Sequence, residues 1–301
     1  MIKSVTITNH LNESIKLELT RPELSGFIIK SIDGIGPVNA SVNFTELATL
    51  DGAIDNSARL DSRNITMSLQ FMGMPTIEDT RLLSYKYFPV KRKVKFLIET
   101  DNRICYTEGR IEKNEPKIFS KDEGCQISIM CPDPYFYSEE NNNLMFYGVD
   151  PLFEFPFENN SLTEDLIEFG SITQMTEGTI YYEGDAEVGI QIVVHAIGDA
   201  EGFAVYNSGT RERMGINDEK LRALMGTGII AGDRITIDTT RGHKSITILR
   251  NGLTTNILNA LEKPLKWFKL AKGYNTFVYT ATSGLEYLQF EISYKTIYEG
   301  V

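Results

Sequence analysis

Hydrophobic and polar positions alternate along most of this chain with a period of two residues, which is typical of β-strands. Residues 64–71 alternate without a break and place four apolar side chains on one face: Ile65, Met67, Leu69 and Phe71. Residues 125–131 follow the same pattern, with Cys125, Ile127, Ile129 and Cys131 sharing a face. The pattern therefore predicts a mainly β protein.

One helix interrupts the strands of the first half. Thr76 is a residue type that caps helices, and Glu78 and Asp79 follow it in the first turn, where negative charge is favoured by the helix dipole. Pro89 prevents the helix from continuing. These signals predict a helix from Thr76 to about Tyr87, followed by strands near residues 94–98, 103–111 and 125–131.

The chain divides near a proline pair. Pro132 and Pro134 interrupt a strand ladder, and a polar run from Glu139 to Asn143 follows. Residues 1–137 hold 18 acidic and 17 basic residues, whereas residues 138–301 hold 23 and 13. A chain of 301 residues also fits two domains better than one. We therefore predict an N-terminal β-rich domain over 1–137 and a second domain over 138–301.

The second domain has the pattern of a β-sandwich. Short alternating segments recur near residues 189–195, 233–238, 244–250, 276–281 and 288–295, separated by turn residues such as Asn251 and Gly252. Residues 141–184 are harder to assign, and we expect short strands there that cover one sheet.

Residues 41–71 hold the most distinctive feature of the first half. Strands near 42–45 and 64–71 are predicted as a long hairpin whose connector, residues 50–60, exceeds the two to five residues usual in hairpins. Its sparse apolar residues cannot bury themselves, so we interpret it as an arm that packs on another molecule, including a second copy; a mobile surface loop is the alternative. The predicted oligomer interface comprises Val42, Phe44, Leu50, Ile54, Leu60, Ile65 and Met67.

Charge and motif content narrow the function. The net charge of −11 argues against nucleic acid held by its phosphates. Residues 138–210 contain fourteen acidic residues and neither Lys nor Arg, which suits a solvated face or a basic partner. No apolar run is long enough to span a membrane, and the first residues lack a signal peptide, so we expect synthesis in a cytoplasm.

No catalytic, cofactor-binding or metal-binding residue is predicted. Cys105, Cys125 and Cys131 lack metal-ligand spacing and are interpreted as buried thiols. The glycines of 226–232 are misplaced for a dinucleotide loop because a strand follows them instead of a helix. His195 and His243 have no nucleophile at a suggestive spacing. We expect a protein without enzymatic activity.

Several stretches, taken in order, resemble one family. They are Ile32–Gly36 before the arm, Asp133–Tyr137 at the end of the first domain, Gly232–Thr239, Gly242–Ser245 and Leu270–Asn275. Together they resemble the distal tail (Dit) proteins of long-tailed bacteriophages and of related phage-tail-like particles.

This resemblance implies a structural role in the virion. Dit proteins form a hexameric ring at the tail tip or baseplate, so the implied partners are further copies of the chain, the tail tube, and hub and receptor-binding proteins. Residues 41–71 would embrace a neighbouring subunit, and the second domain would be a galectin-like β-sandwich. DNA would pass through the ring without specific binding, and synthesis and assembly would occur in the host bacterial cytoplasm.

Two alternatives remain. A host-surface carbohydrate-binding module is the first, although Trp267 is followed three residues later by Leu270 where sugar-binding galectins have an acid. Trp267 is therefore interpreted as a packing residue. A glycosidase using a carboxylate pair such as Glu183 and Asp185 is the second, but acidic residues are too frequent in this region for the pair to be specific.

Overall fold

The computed structural model describes residues 1–47, 51–73, 75–151 and 170–301, with the side chains of 148–151 and 170–174 excluded. The described chain forms two compact units. The first comprises Met1–Glu140 and Ile297–Val301, and the second comprises Asn141–Thr296. The last five residues thus lie in the first unit, whereas the sequence division placed them in the second domain. The contact of these last residues with the first unit joins parts of the chain that are far apart in sequence, and local sequence patterns do not reveal such contacts.

The elements follow in chain order. The elements between Met1 and Glu140 are β1 (Ile2–Thr8), β2 (Ser14–Glu18), a 3-10 turn (Pro22–Leu24), β3 (Phe27–Asp33), β4 (Ala40–Glu46), β5 (Ala53–Leu60), β6 (Arg63–Phe71), α1 (Ile77–Tyr87), β7 (Lys93–Thr100), β8 (Ile104–Lys117), β9 (Gly124–Cys131) and β10 (Phe136–Ser138).

The remaining elements belong to the second unit, except for the last strand, which belongs to the first. They are β11 (Asn142–Met145), β12 (Tyr147–Pro151), β13 (Gly170–Gln174), β14 (Glu177–Tyr182), β15 (Val188–Gly189), β16 (Gln191–Ala196), β17 (Ala204–Asn207), β18 (Glu212–Gly215), α2 (Asp218–Met225), β19 (Arg234–Asp238), β20 (Ser245–Arg250), β21 (Leu253–Asn256), 3-10 turns (Leu258–Ala260 and Leu285–Tyr287), β22 (Lys269–Leu270), β23 (Gly273–Thr280), β24 (Leu288–Tyr294) and β25 (Ile297–Tyr298).

The first unit is built on one antiparallel sheet in the order β2-β1-β7-β8-β9-β6-β3, with β10 pairing both β8 and β25. Its core is formed by the inward residues of these strands, among them Val5, Phe96, Ile127 and Ile129. Phe27 contacts the ring of Phe71 edge-on, with ring centroids 5.9 Å apart. The predicted mainly β fold class is confirmed.

Helix α1 begins and ends close to the predicted positions. The Thr76 hydroxyl accepts a hydrogen bond from the backbone N–H of Asp79 at 3.1 Å, which is the expected cap. Two small hydroxyl residues, Thr80 and Ser84, are the buried residues of the helix, while Leu83 and Tyr87 pack against the core partly buried. Thr80 donates to the carbonyl of Met72 at 2.6 Å and Ser84 to that of Arg81 at 2.7 Å.

The three cysteines are free and buried in the first unit. Burial raises the pKa of the Cys105 and Cys131 thiols to about 11 and that of Cys125 to about 12. Since the thiolate is the reactive form, these side chains act as small apolar groups at neutral pH. The prediction of buried thiols is confirmed.

The largest side chain that is fully buried is a charged one. Arg63, at the start of β6, donates to four backbone carbonyls: those of Gly34, Gly36, Pro134 and Glu299, at 2.5–2.8 Å. Its guanidinium also lies 4.3 Å from the ring centroid of Phe136. Burial lowers the pKa of Arg63 from its usual value, and the carbonyls solvate the charge. Arg63 thereby joins segments distant in sequence.

The second unit is a β-sandwich, as predicted. One sheet has the order β11-β24-β16-β19-β20-β21 and the other β14-β23-β17-β18. Their facing side chains form an aromatic core, in which Tyr279 stacks on Phe290 at 5.1 Å and Phe146 contacts both rings. Asp233 is buried and accepts two hydrogen bonds from Arg250, at 2.6 and 2.7 Å, and this contact raises the pKa of Arg250. Phe153, Phe155 and Phe157 lie outside the described residues.

Helix α2 was not predicted from the sequence, although its ends carry clear signals. The Asn217 side chain accepts from the N–H of Lys220 at 2.9 Å, and Asp218 and Glu219 lie in the first turn. Gly226 ends the helix with a φ of 81°, a left-handed conformation that suits glycine. The glycine considered as part of a dinucleotide loop is therefore a helix cap.

Replacing Arg63 with Met is expected to destabilise the first unit by about 3 kcal/mol or more, because the buried carbonyl of Pro134 and three part-buried carbonyls lose their donor. Urea unfolding followed by peptide-resolved hydrogen exchange measures this change. Arg59→Met is the matched control, since Arg59 is exposed on β5, and it is expected to change the free energy by less than about 0.5 kcal/mol. Equal stability of the two variants would contradict the assigned role.

Candidate functional site

The candidate site is a two-stranded arm, residues 40–60, in which β4 and β5 pair only with each other among the described residues. This corrects the predicted hairpin. Its second strand is β5, which lies in the segment predicted as a connector, whereas residues 64–71 belong to β6, between β3 and β9 in the main sheet. Alternation shows that a segment is a strand with one buried face, but it does not show which strand lies beside it.

The two faces of the arm differ in polarity. Residues directly opposite each other in a sheet share a face. The pairs Ala40–Leu60 and Val42–Ala58 therefore lie on one face, together with Phe44, two residues beyond Val42. We call this set the apolar face: Ala40, Val42, Phe44, Ala58 and Leu60. A bulge between Asn43 and Phe44 places the acid Asp55 opposite Phe44, at the outer end of the apolar face.

The opposite face stabilises the hairpin through polar contacts. Asn43 donates to the hydroxyl of Ser57 at 3.1 Å, and Asn56 donates to Thr45 at 2.5 Å. At the base, Ser41 donates to Asp61 at 2.7 Å, and the Asp61 N–H donates to the carbonyl of Asn39 at 3.0 Å. These bonds join the two strands of the arm and leave its apolar face free for a partner.

The structure separates the predicted interface residues into groups. Val42 and Phe44 are exposed, at 44% and 61%, and share the apolar face with the half-buried Leu60. Ile54 is also exposed, but it pairs with Thr45 on the other face. Leu50 lies outside the described residues.

Ile65 and Met67 need correction. Both are fully buried in the core of the first unit, on β6. A side chain that is already covered by its own chain has no surface to offer a second molecule, so these two residues leave the proposed interface. They were included because their strand was assigned to the hairpin.

Sequence reasoning missed Arg63, which fixes the position of the arm's base. It lies three residues after Leu60 and binds the carbonyls of Gly34 and Gly36, close to the start of β4. Gly34 has a φ of 82°, and a Cβ there would lie 2.0 Å from the carbonyl oxygen of Asn64. Both chain segments that lead into the arm are thus anchored. A lone arginine before a strand gives no sequence signal of this role.

The described ranges hold neither a metal-binding cluster nor a membrane-spanning helix. Within them, no group of three His, Cys, Asp or Glu side chains is arranged to hold a metal ion. In the same part of the chain, no helix has the length and apolar character needed to cross a membrane.

The fold of the described chain is similar to that of a phage Dit protein. The SPP1 Dit protein (gp 19.1), described as a paradigm of the hub adsorption apparatus in Gram-positive infecting phages, matches with a TM-score of 0.63 and 13% identity, over 97% of this chain and 99% of that chain. The phage P2 baseplate in its activated conformation with Ca matches with a TM-score of 0.51 and 10% identity, over 97% of this chain and 98% of that chain. No protein-family model and no curated protein matches the sequence. The Dit-like fold predicted from the sequence is confirmed.

Truncation of side chains should separate surface from core. Val42→Ala and Phe44→Ala are expected to change the free energy of unfolding of the isolated chain by less than about 0.5 kcal/mol. Ile65→Ala and Met67→Ala are expected to cost about 2–5 kcal/mol each, because they leave cavities in a packed core. Urea titrations at low protein concentration measure both pairs. If Phe44→Ala lowered the free energy of unfolding as much as Ile65→Ala does, the arm would pack on its own unit.

Proposed function

We propose that this protein is a structural component of a phage tail tip, in which six copies form a ring that joins the tail tube to baseplate and receptor-binding proteins. The observation that carries the proposal is the arm with its uncovered apolar face, on a fold shared with the SPP1 hub protein. The proposed role is structural and not enzymatic.

The arm is not expected to be stable by itself. A two-stranded hairpin is at best marginally stable in water unless one face packs on something else. Val42 and Phe44 expose apolar surface that burial would stabilise. A second copy is a partner present wherever the protein is made. If the arm packs on a different surface of the next copy, the contact is head-to-tail, and a series of such contacts closes into a ring when the rotation between copies allows it.

The distribution of charge supports the proposed arrangement. Residues 1–137, assigned to the ring, are nearly neutral, so DNA can pass without being held through its phosphates. Residues 138–301, assigned to the outer domain, carry most of the net negative charge. The proposed location is the tail tip of the virion, after assembly in the host cytoplasm.

Making the apolar face polar tests the ring. The double variant Val42→Ser, Phe44→Ser is expected to remain folded but to stay monomeric at concentrations where the native chain forms rings, because the arm no longer gains free energy by burial. Mass photometry gives the oligomer distribution, and negative-stain microscopy shows whether rings form.

Leu253→Ser is the matched control, since Leu253 is 69% exposed in the second unit and its loss removes a comparable apolar side chain. This variant is expected to form rings as the native chain does. Closed rings in the Val42/Phe44 variant would refute the arm as the clasp, and a native chain that stays monomeric would refute the ring itself.

A second candidate function is binding of a host-surface glycan by the outer domain. Tyr181 and Tyr274 lie opposite each other on β14 and β23, with ring centroids 4.9 Å apart and exposures of 55% and 79%. Their rings and hydroxyls combine apolar surface with polar groups, which suits a sugar. Trp267, by contrast, is half-buried with the Lys244 ammonium 5.7 Å from its ring centroid.

A glycan array distinguishes this second function. If it operates, the native chain binds a defined set of sugars, and Tyr181→Ala with Tyr274→Ala lowers that binding by about tenfold or more, as expected for loss of aromatic stacking. Tyr287→Ala, at another exposed tyrosine, should leave binding unchanged. Absence of binding by the native chain would leave the ring as the proposed function.

A further inference from the structure

The first unit also contains an open groove that the proposed function does not account for. It has a volume of about 410 Å³ and is lined by Ser62, Lys93, Glu108, Gly109, Arg110, Met130, Cys131 and Pro132. All of these residues belong to the first unit. We call it the seam groove, because Pro132 of the proline pair forms part of its wall.

The groove exists because two neighbouring strands separate. The pairing of β8 with β9 begins at Arg110 and Met130, and beyond that point β8 pairs with β10 instead. Pro132 lacks a backbone N–H and directs the chain away from β8. The space left between residues 108–110 and 130–132 is therefore a fixed feature of the sheet.

The rim of the seam groove is basic. Lys91, Arg92 and Lys93 are consecutive and exposed, and Arg110 lies opposite Lys93 in the sheet. Arg110 donates to the carbonyl of Lys91 at 2.8 Å, which keeps its charge at this edge. Glu108 is the acidic residue that lines the groove, so positive charge exceeds negative charge there. Nearby Lys95 is already paired with Glu139 at 3.6 Å.

The arm has the complementary character. Its outer end carries Glu46, Asp51 and Asp55, all exposed, whereas its basic residue, Arg59, lies near the base. Phe44 adjoins this acidic end on the apolar face. Seven residues of β4 extend the arm by about 20 Å.

We propose that the seam groove of one copy receives the arm of a neighbouring copy, with Phe44 in the groove and the acidic end against Lys91, Arg92 and Lys93. This inference rests on the proposed ring and identifies the receiving surface. The apolar contact supplies free energy, and the charges fix which end of the arm enters. Ser62 lines the groove and lies close to the base of the same copy's arm. Each subunit therefore presents both an arm and a seam groove.

Charge reversal with rescue tests the pairing. Arg92→Glu with Lys93→Glu is expected to raise the concentration at which half the protein forms rings by about tenfold or more, because like charges then face each other. Glu46→Lys with Asp55→Lys should weaken assembly similarly. The chain carrying all four changes should assemble within about threefold of the native chain, since opposite charges face each other again.

Lys117→Glu with Lys121→Glu is the control, because it makes the same charge change at the exposed turn between β8 and β9, away from the groove. It is expected to assemble as the native chain does. The groove assignment would be overturned if charge reversal at Arg92 and Lys93 had no effect on assembly, or if the four-residue variant did not recover assembly. Rings formed by the native chain would still support the proposed function in either case.

A photocrosslinker placed at Phe44 gives an independent readout that does not depend on charge. Irradiation of assembled rings is expected to join Phe44 of one copy to a peptide containing residues 108–110 or 130–132 of another, identified by mass spectrometry of mixed isotope-labelled and unlabelled protein. Crosslinks between copies to a different surface would overturn the inference. A native chain that forms no rings would overturn both this inference and the ring.

Discussion

The first unit depends on a buried charge that has no acidic partner within hydrogen-bond reach in the described chain. Arg63 is fully buried, and all five of its N–H donors are directed at backbone carbonyls. Taking an ion out of water costs several kcal/mol, which only a complete set of hydrogen bonds offsets. The carbonyls come from the turn after β3, from Pro134 and from Glu299. These segments are distant from one another in sequence, and Arg63 holds them in one place.

This arrangement fixes the point from which the arm extends. The arm's own hydrogen bonds hold its strands together, but they do not set its direction. That direction is set where β4 and β5 join the unit, at Asp61 with Asn39 and at Arg63 with Gly34 and Gly36. The same guanidinium binds Pro134, beside the seam groove. One interaction therefore fixes both the donating and the receiving surface relative to each other within the first unit.

The sequence predicted most of the strands, because alternation of apolar and polar residues is a local signal. It predicted α1 from the cap at Thr76, and it missed α2 although Asn217 and Gly226 carry equivalent signals. What it could not supply was pairing. Residues 64–71 were assigned to the arm because their pattern is the same whether the neighbouring strand is β4 or β9. For the same reason Ile65 and Met67 were expected at an interface, and the return of residues 297–301 to the first unit went unseen.

The separation between the arm and the seam groove bears on why a ring is the expected assembly. A surface that binds a copy of itself gives a dimer, whereas two different surfaces on one chain give a series of identical contacts. Such a series closes only if each contact rotates the next copy by the same fixed angle; otherwise it continues as a filament. A flexible arm base would allow many angles. The anchoring of both strands by Asp61 and Arg63 limits that freedom, so in the proposed ring the buried contacts of the first unit would set the angle between copies, and with it the number of copies.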